Sequence, residues 1–138
     1  MDNEFAVKIL TPEHSFYEGD AELAILPTTE GEVGILKGHI PMVFALKSGN
    51  IKIVENNRLR EAATSDGFAE MTKNGLLVLT QTAEWATEIE EGRVRESLER
   101  AREELKNAKN AGEREWARAG ILRALNRLRL IGRINVKK

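Results

Sequence analysis

Residues 76–98 read LLVLTQTAEWATEIEEGRVRESL, and within them the spacing of apolar residues changes period. The run Leu76 to Thr80 has the length and composition of a strand, whereas Val94 and Leu98 stand one helical turn apart in a charged segment. Two structural units therefore meet near Gly92, one of strands and one of helices.

Toward the N-terminus, apolar runs of strand length recur with turn residues between them. Strands are predicted at Phe5 to Leu10, Ala21 to Leu26, Val33 to Leu36, Met42 to Leu46, Asn50 to Val54, Arg60 to Thr64, Phe68 to Thr72 and Leu76 to Thr80, punctuated by Pro12, Gly19, Pro27, Gly38 and Gly49. Asn74-Gly75 predicts a hairpin with a type I′ turn, which needs φ > 0 at both central residues. Eight or more short strands argue for a sandwich or flattened barrel, because a single sheet would leave one apolar face wet.

Toward the C-terminus, Val94, Leu98, Ala101, Leu105 and Ala108 form one helical stripe, and Ala117, Ile121, Ala124, Leu128 and Ile131 form a second. The segment Asn107 to Gly112 is the turn between them, so two antiparallel helices of roughly equal length are expected. Alanine-rich stripes bury little area, at about 25 cal/mol per Å², so the hairpin is expected to be marginally stable alone and able to detach.

The 138 residues suit one core with an appendage, and the lack of cysteine rules out disulfides and thiolate metal sites, pointing to a reducing compartment. The acidic start Met1-Asp2-Asn3-Glu4 is unlike a secretory leader, and no apolar stretch approaches the roughly 20 residues of a membrane span. The net charge of −1 conceals an asymmetry: Met1 to Gly92 carries 16 acidic and 7 basic residues (−9), and Arg93 to Lys138 carries 6 acidic and 14 basic residues (+8). Two units with different partners are implied.

Few residues carry the signature of chemistry. The stretch Pro27 to Pro41 places Gly31, Gly34, Gly38 and His39 between apolar segments, a shape suited to contact. Its glycines match neither GxxxxGK[ST] nor GxGxxG ahead of a helix, so turn geometry competes with a phosphate cradle. His39 and His14 lack the partners of a triad or metal site, and no HExxH or Gly-x-Ser-x-Gly occurs, so no catalytic or metal-binding residue is assigned. Arg93 and Arg100 lie two turns apart on the first helix, and Arg123 and Arg127 one turn apart on the second. They read either as a guanidinium cluster for phosphate or as a solvated face interleaved with Glu96, Glu99, Glu103 and Glu104. From Glu113 onward 8 basic residues face 2 acidic ones, which favours an anionic partner. A nucleic-acid reading meets an acidic first half and a second with Trp116 as its one aromatic residue.

Over nearly its whole length the chain resembles the epsilon subunits of bacterial rotary F-type ATP synthases. The resemblance rests on Thr11-Pro12-Glu13, Tyr17-Glu18-Gly19, Pro27-Thr28, Gly31 to His39, Gly67-Phe68-Ala69-Glu70-Met71, Asn74 and Val78-Leu79. It implies a ten-stranded β-sandwich over residues 1–88 followed by an antiparallel two-helix hairpin over 89–138. It also implies a noncatalytic rotor subunit of the central stalk, peripheral on the cytoplasmic face of the bacterial plasma membrane, without direct membrane insertion or nucleic-acid binding. Its partners would be the gamma subunit and the c ring, with Glu32, Lys37, Gly38 and His39 at the c-ring contact. Lys37 replaces the family's usual proline and adds a positive charge there.

The hairpin, by the same resemblance, extends to inhibit ATP hydrolysis, its basic face of Arg114, Arg118, Arg123, Arg127 and Arg129 meeting the alpha and beta subunits. In related members ATP, a regulatory ligand and not a required cofactor, binds at Ile/Leu-Asp-x-x-Arg-Ala. The matching stretch is Ile89-Glu90-Glu91-Gly92-Arg93-Val94, with Glu90 for aspartate and Val94 for alanine. Glu84, Ile89, Glu90, Arg93, Arg100, Arg123 and Arg127 are the nucleotide-site residues so implied. A stand-alone nucleotide-sensing module is the alternative reading.

Overall fold

A computed structural model of the chain describes residues 3–137, with side chains through residue 132. By contacts the chain divides into two units, Met1–Trp85 and Ala86–Lys138.

The first unit holds ten strands: β1 (Phe5–Leu10), β2 (Ser15–Ala21), β3 (Leu23–Thr28), β4 (Gly31–Ile35), β5 (Met42–Leu46), β6 (Gly49–Glu55), β7 (Arg58–Thr64), β8 (Gly67–Thr72), β9 (Gly75–Thr80) and β10 (Ala83–Trp85). Apolar periodicity alone finds eight of them. It misses β2, whose Glu18-Gly19-Asp20 is poor strand material, and β10, which has only three residues. Both are held by neighbours: β2 runs antiparallel to β1, and β10 antiparallel to β7.

Hydrogen bonding orders the strands β10-β7-β6-β3-β5-β8-β9-β1-β2, with β4 added on β3. The two layers join through β3, which pairs with β6 from Leu23 to Ile25 and then with β5 at Thr28 and Leu46. Pro27, which has no N–H to give, occupies the point where β3 changes partners, and its carbonyl accepts from Lys47 N at 3.0 Å. Between the layers lie Ile9, Leu26, Ile35, Ile51, Ile53 and Val78, all almost fully buried. Each such side chain contributes on the order of 2 kcal/mol of transfer free energy.

The other side of the sandwich is closed by side chains. Phe16 of β2 stacks on Trp85 of β10 with ring centroids 4.6 Å apart, and the Arg60 guanidinium of β7 lies 3.7 Å from the Trp85 ring centroid. The Tyr17 hydroxyl of β2 donates to Glu55 Oε2 of β6. Burial, then the hydrogen bond to the Glu55 carboxylate and its charge, hold the Tyr17 phenol well above its ordinary pKa of 10.0.

Two hairpins share one turn chemistry. In Thr28-Thr29-Glu30-Gly31, Thr28 Oγ1 accepts from Glu30 N at 3.2 Å and donates to Gly31 O; in Thr72-Lys73-Asn74-Gly75, Thr72 Oγ1 accepts from Asn74 N at 3.1 Å. Each ends on a glycine at positive φ, 121° at Gly31 and 127° at Gly75. The type I′ turn predicted at Asn74-Gly75 is therefore absent there, since Asn74 keeps a negative φ while its threonine satisfies the turn. That geometry occurs instead at Asn56-Asn57, with φ of 53° and 61°, between the paired residues Glu55 and Arg58.

The second unit opens with a short 3₁₀ turn, Ala86–Glu88, followed by α1 (Glu91–Lys106) and α2 (Ala111–Lys137). Val94, Leu98 and Ala124 form its apolar cluster, with Ile89, Ile121, Leu128 and Ile131 packed around them, so the start of α1 meets the later part of α2 and the helices run antiparallel. A Cβ at Gly120 would stand 3.3 Å from the Ala101 side chain, so the axes approach closely at that level. The helices are unequal, 16 residues against 27, because nothing in α2 breaks it where α1 begins. Gly112, expected in the turn, sits in the first turn of α2. Asn110 caps that helix: its Oδ1 accepts from Glu113 N at 2.8 Å, and Glu113 Oε2 accepts from Lys109 N at 2.9 Å.

Candidate functional surfaces

The loop from Leu36 to Pro41 joins β4 to β5. Gly38, at φ 86°, turns the chain so that His39 N donates to Leu36 O at 3.0 Å. His39 Nδ1 lies 2.7 Å from its neighbour Ile40 O, a carbonyl that can only accept, so Nδ1 carries the proton in that contact. The ring also leans on Phe44, with centroids 5.9 Å apart. Glu32, one strand back on β4, pairs with Lys52 of β6 at 3.6 Å and remains largely exposed. The loop also holds two apolar residues that motif reading passed over, Leu36 and Ile40, 59% and 67% exposed. Their signal was present in the sequence, since apolar side chains in a glycine-bounded loop have no strand face to cover them.

A second surface lies on the outer face of the layer β5-β8-β9-β1. The register aligns Ala45 with Phe68, Phe68 with Leu79, and Leu79 with Leu10, so four apolar residues form a row across four strands. Phe68 is 61% exposed and Leu79 48%; Val43, one step along β5, is 65% exposed. The run Leu76-Leu77-Val78-Leu79 foreshadows this, because an unbroken apolar strand is apolar on both faces. Leu76 and Val78 point into the core, and Leu79 belongs to the row outside.

In the helical unit the arginines divide. Seven residues separate Arg93 from Arg100 on α1, and four separate Arg123 from Arg127 on α2, so at about 100° per residue each pair shares a face. The approach of Ala101 to Gly120 and the cluster of Val94, Leu98 and Ala124 set the axial register. In that register Arg93 lies level with Arg127, and Arg100 level with Arg123, on one flank of the antiparallel pair. Arg100 Nη2 donates to Ser97 Oγ at 3.1 Å. Arg123 and Arg127 are half-buried, whereas Arg114, Arg118 and Arg129 are exposed and turned roughly 120–180° away, with the exposed Leu122 and Leu125 among them. The five arginines expected to make one basic face on α2 thus form two. Arg118 pairs with Glu115 at 3.9 Å, and Arg129 Nη2 donates to Asn126 Oδ1 at 2.8 Å.

Of the other nucleotide-site residues, Ile89 packs on the hairpin cluster and Glu90 is the N-cap of α1, its carbonyl accepting from Val94 N at 3.2 Å. Glu84 lies on β10 in the first unit, paired in register with Ala63. Among the described residues no group of three or more His, Cys, Asp or Glu side chains is arranged to hold a metal ion. No described helix is long and apolar enough to cross a membrane.

A chain of the Euglena gracilis mitochondrial ATP synthase (OSCP/F1/c-ring, rotational state 1) superimposes with a TM-score of 0.75 at 21% identity, covering 89% of this chain and 78% of that one. A chain of the Tetrahymena thermophila mitochondrial ATP synthase central stalk and c-ring gives 0.61 at 14% identity, covering 92% and 96%. Both share the fold. In sequence, the ATP synthase epsilon chain of Caldanaerobacter subterraneus subsp. tengcongensis is 40% identical over 131 residues, 94% of this chain and 95% of the relative. That of Staphylococcus epidermidis is 41% identical over 129 residues, 93% and 96%. The family model for the ATP synthase Delta/Epsilon chain β-sandwich domain matches residues 4–86. With a sandwich matched by that model, a hairpin behind it and relatives aligned almost end to end, the chain belongs to the epsilon-chain family of ATP synthase.

Proposed function

We propose that this chain is a noncatalytic subunit of the central stalk that links the gamma subunit to the c ring and restrains ATP hydrolysis through its helical unit. It works at the cytoplasmic face of the bacterial plasma membrane and is held there by partners. The observation that carries the reading is the pair of uncovered apolar surfaces on the sandwich. The row of Leu10, Ala45, Phe68 and Leu79 suits a broad apolar partner such as a gamma helix, and the loop with Leu36, Gly38, His39 and Ile40 suits short contacts with c-ring loops. Lys37 and Glu32 add charge at the rim of that contact, where charge governs register more than affinity.

The exposed arginines Arg114, Arg118 and Arg129, with Leu122 and Leu125, suit the acidic surfaces of alpha and beta subunits. A nucleic-acid partner is disfavoured, because the exposed Trp116 shares its groove with Glu103, Glu104 and Glu113, which repel a phosphate backbone.

The direct test is Phe68→Asp, which puts a charge in the centre of the apolar row without touching the core. The variant should keep its melting temperature and lose affinity for gamma by about a hundredfold; retention of full affinity removes this face from the interface.

One observation favours nucleotide sensing as an added property. The level pairs Arg93/Arg127 and Arg100/Arg123 on one flank suit the phosphates of ATP, and Ile89 and Glu90 lie at the start of the same helix. Such a ligand would favour one arrangement of the hairpin only by its differential affinity.

A further inference from the structure

The two units are joined at the Trp85-Ala86 bond, and the chain before it is held at two places of different kind. The inner one is a buried hydroxyl pin. Ser65 Oγ accepts from Thr82 N at 2.9 Å, Ser65 N donates to Thr82 O at 3.2 Å, and Thr80 Oγ1 donates to Ser65 O at 3.0 Å. Ser65 and Thr80 are 3% and 4% exposed.

The outer one is β10, an edge strand of three residues that pairs, among the described residues, with β7 alone, its register pairs being Ala83 with Thr64, Glu84 with Ala63 and Trp85 with Ala62. All three of its residues are only half-buried. A strand this short has little backbone pairing of its own, so side chains decide whether it stays. Trp85 is sandwiched by Phe16, stacked at 4.6 Å, and by the Arg60 guanidinium at 3.7 Å, with the Tyr17 ring edge-on at 5.9 Å.

We propose that Phe16, Arg60 and Trp85 form a releasable clasp that sets the length of the tether to the helical unit. With the clasp closed, the tether begins after Trp85. With it open, β10 peels from β7 and the tether begins after Thr82, where the hydroxyl pin still holds. Three residues are added, about 10 Å of extended chain. The closed clasp keeps the helical unit on a short lead, and its release extends the reach of that unit without unfolding either domain. Edge elements of few contacts are the ones that open locally. Arg60 is itself exposed, so a partner's carboxylate can draw its cation off the Trp85 ring.

The test uses the full chain in a Trp116→Phe background, so that Trp85 is the one remaining tryptophan. Arg60→Ala is expected to raise acrylamide quenching of Trp85 about threefold and amide exchange at residues 83–86 about tenfold, leaving β8 and β9 protected. Because the chain has no cysteine, spin labels can be placed at Lys73→Cys and Lys109→Cys. Their distance distribution should gain a component roughly 10 Å longer in Arg60→Ala. Phe16→Leu should act in the same direction, and Arg60→Lys, which keeps a cation over the ring, should restore most of the parent behaviour. Three results overturn the proposal: unchanged quenching and exchange, exchange that rises equally in β8 and β9, or an unchanged label distribution when β10 is shown to be open.

Discussion

The Tyr17 hydroxyl donates to Glu55 Oε2 at 2.5 Å, joining β2 to β6 across 38 positions of sequence on the side of the sandwich that the backbone ladder leaves open. The contact makes the stability of the sandwich depend on a proton. Burial first, then Glu55, raises the Tyr17 pKa above the 10.0 it has in the unfolded chain. Below pH 10 both states keep the proton and the contribution is complete. Above it the unfolded chain ionises while the folded one does not, so stability falls as pH rises, by about 1.4 kcal/mol per pH unit for this group. Tyr17 is the single tyrosine, so phenolate absorbance reports it alone. The absorbance should appear together with unfolding, and Tyr17→Phe should flatten the alkaline fall in stability. Ionisation of Tyr17 at its ordinary pKa in the folded protein would contradict this.

Glycines in the sandwich should divide by what surrounds them. A Cβ at Gly67 would collide with the backbone carbonyl of Leu79 on the neighbouring strand, which cannot yield without breaking the β8–β9 ladder. At Gly34 the nearest atom, Leu23 Cδ1, is 3.8 Å away. Gly67→Ala should therefore cost about 3 kcal/mol and Gly34→Ala less than about 1 kcal/mol in urea unfolding. Equal costs would mean that β9 moves to accommodate the methyl.

The start of α2 depends on the reciprocal cap of Asn110 and Glu113. Asn110→Ala should lower the stability of the helical unit by about 1 kcal/mol, with Asn110→Ser close to the parent. Thermal melts followed at a helix-sensitive wavelength distinguish them, and an unchanged Asn110→Ala melt would show that the cap is dispensable.

The two arginine faces should separate genetically. In calorimetry with ATP, Arg123→Ala with Arg127→Ala should weaken binding at least about tenfold, and Arg114→Ala with Arg118→Ala should leave it within about twofold. In the assembled complex the second pair should relieve inhibition of hydrolysis. If both pairs act alike in both assays, the faces have one role.

Strand and helix content were legible because they follow from local repeats. The bounds of β1 and β5 can be read directly from Phe5–Leu10 and Met42–Leu46, and the stripe of Val94, Leu98 and Ala101 is buried as its spacing requires. Short elements escaped, since β2 carries Gly19 and Asp20 and β10 has too few residues to show a period. The type I′ turn was placed at the wrong asparagine, because the Thr72 side chain offers the backbone a competing set of hydrogen bonds.

The candidate site was legible only as residue types. Gly38 and His39 mark a shaped loop, and the basic excess after Gly92 shows in the sequence only as composition. The two faces of α2 needed the packing, because an angular separation around a helix has meaning only once one side is buried against α1.

The order of apolar and turn residues along this chain determined that a strand-built unit precedes a helical one and where the period changes, since those are properties of neighbours in sequence. Tertiary structure alone decided that β3 changes layers at Pro27, that Phe68 and Leu79 lie side by side outside the core, and that Phe16 meets Trp85. Those contacts depend on strand register and on closure of the sandwich, and a one-residue slip would reverse the face of every side chain in the strand while leaving its local pattern unchanged.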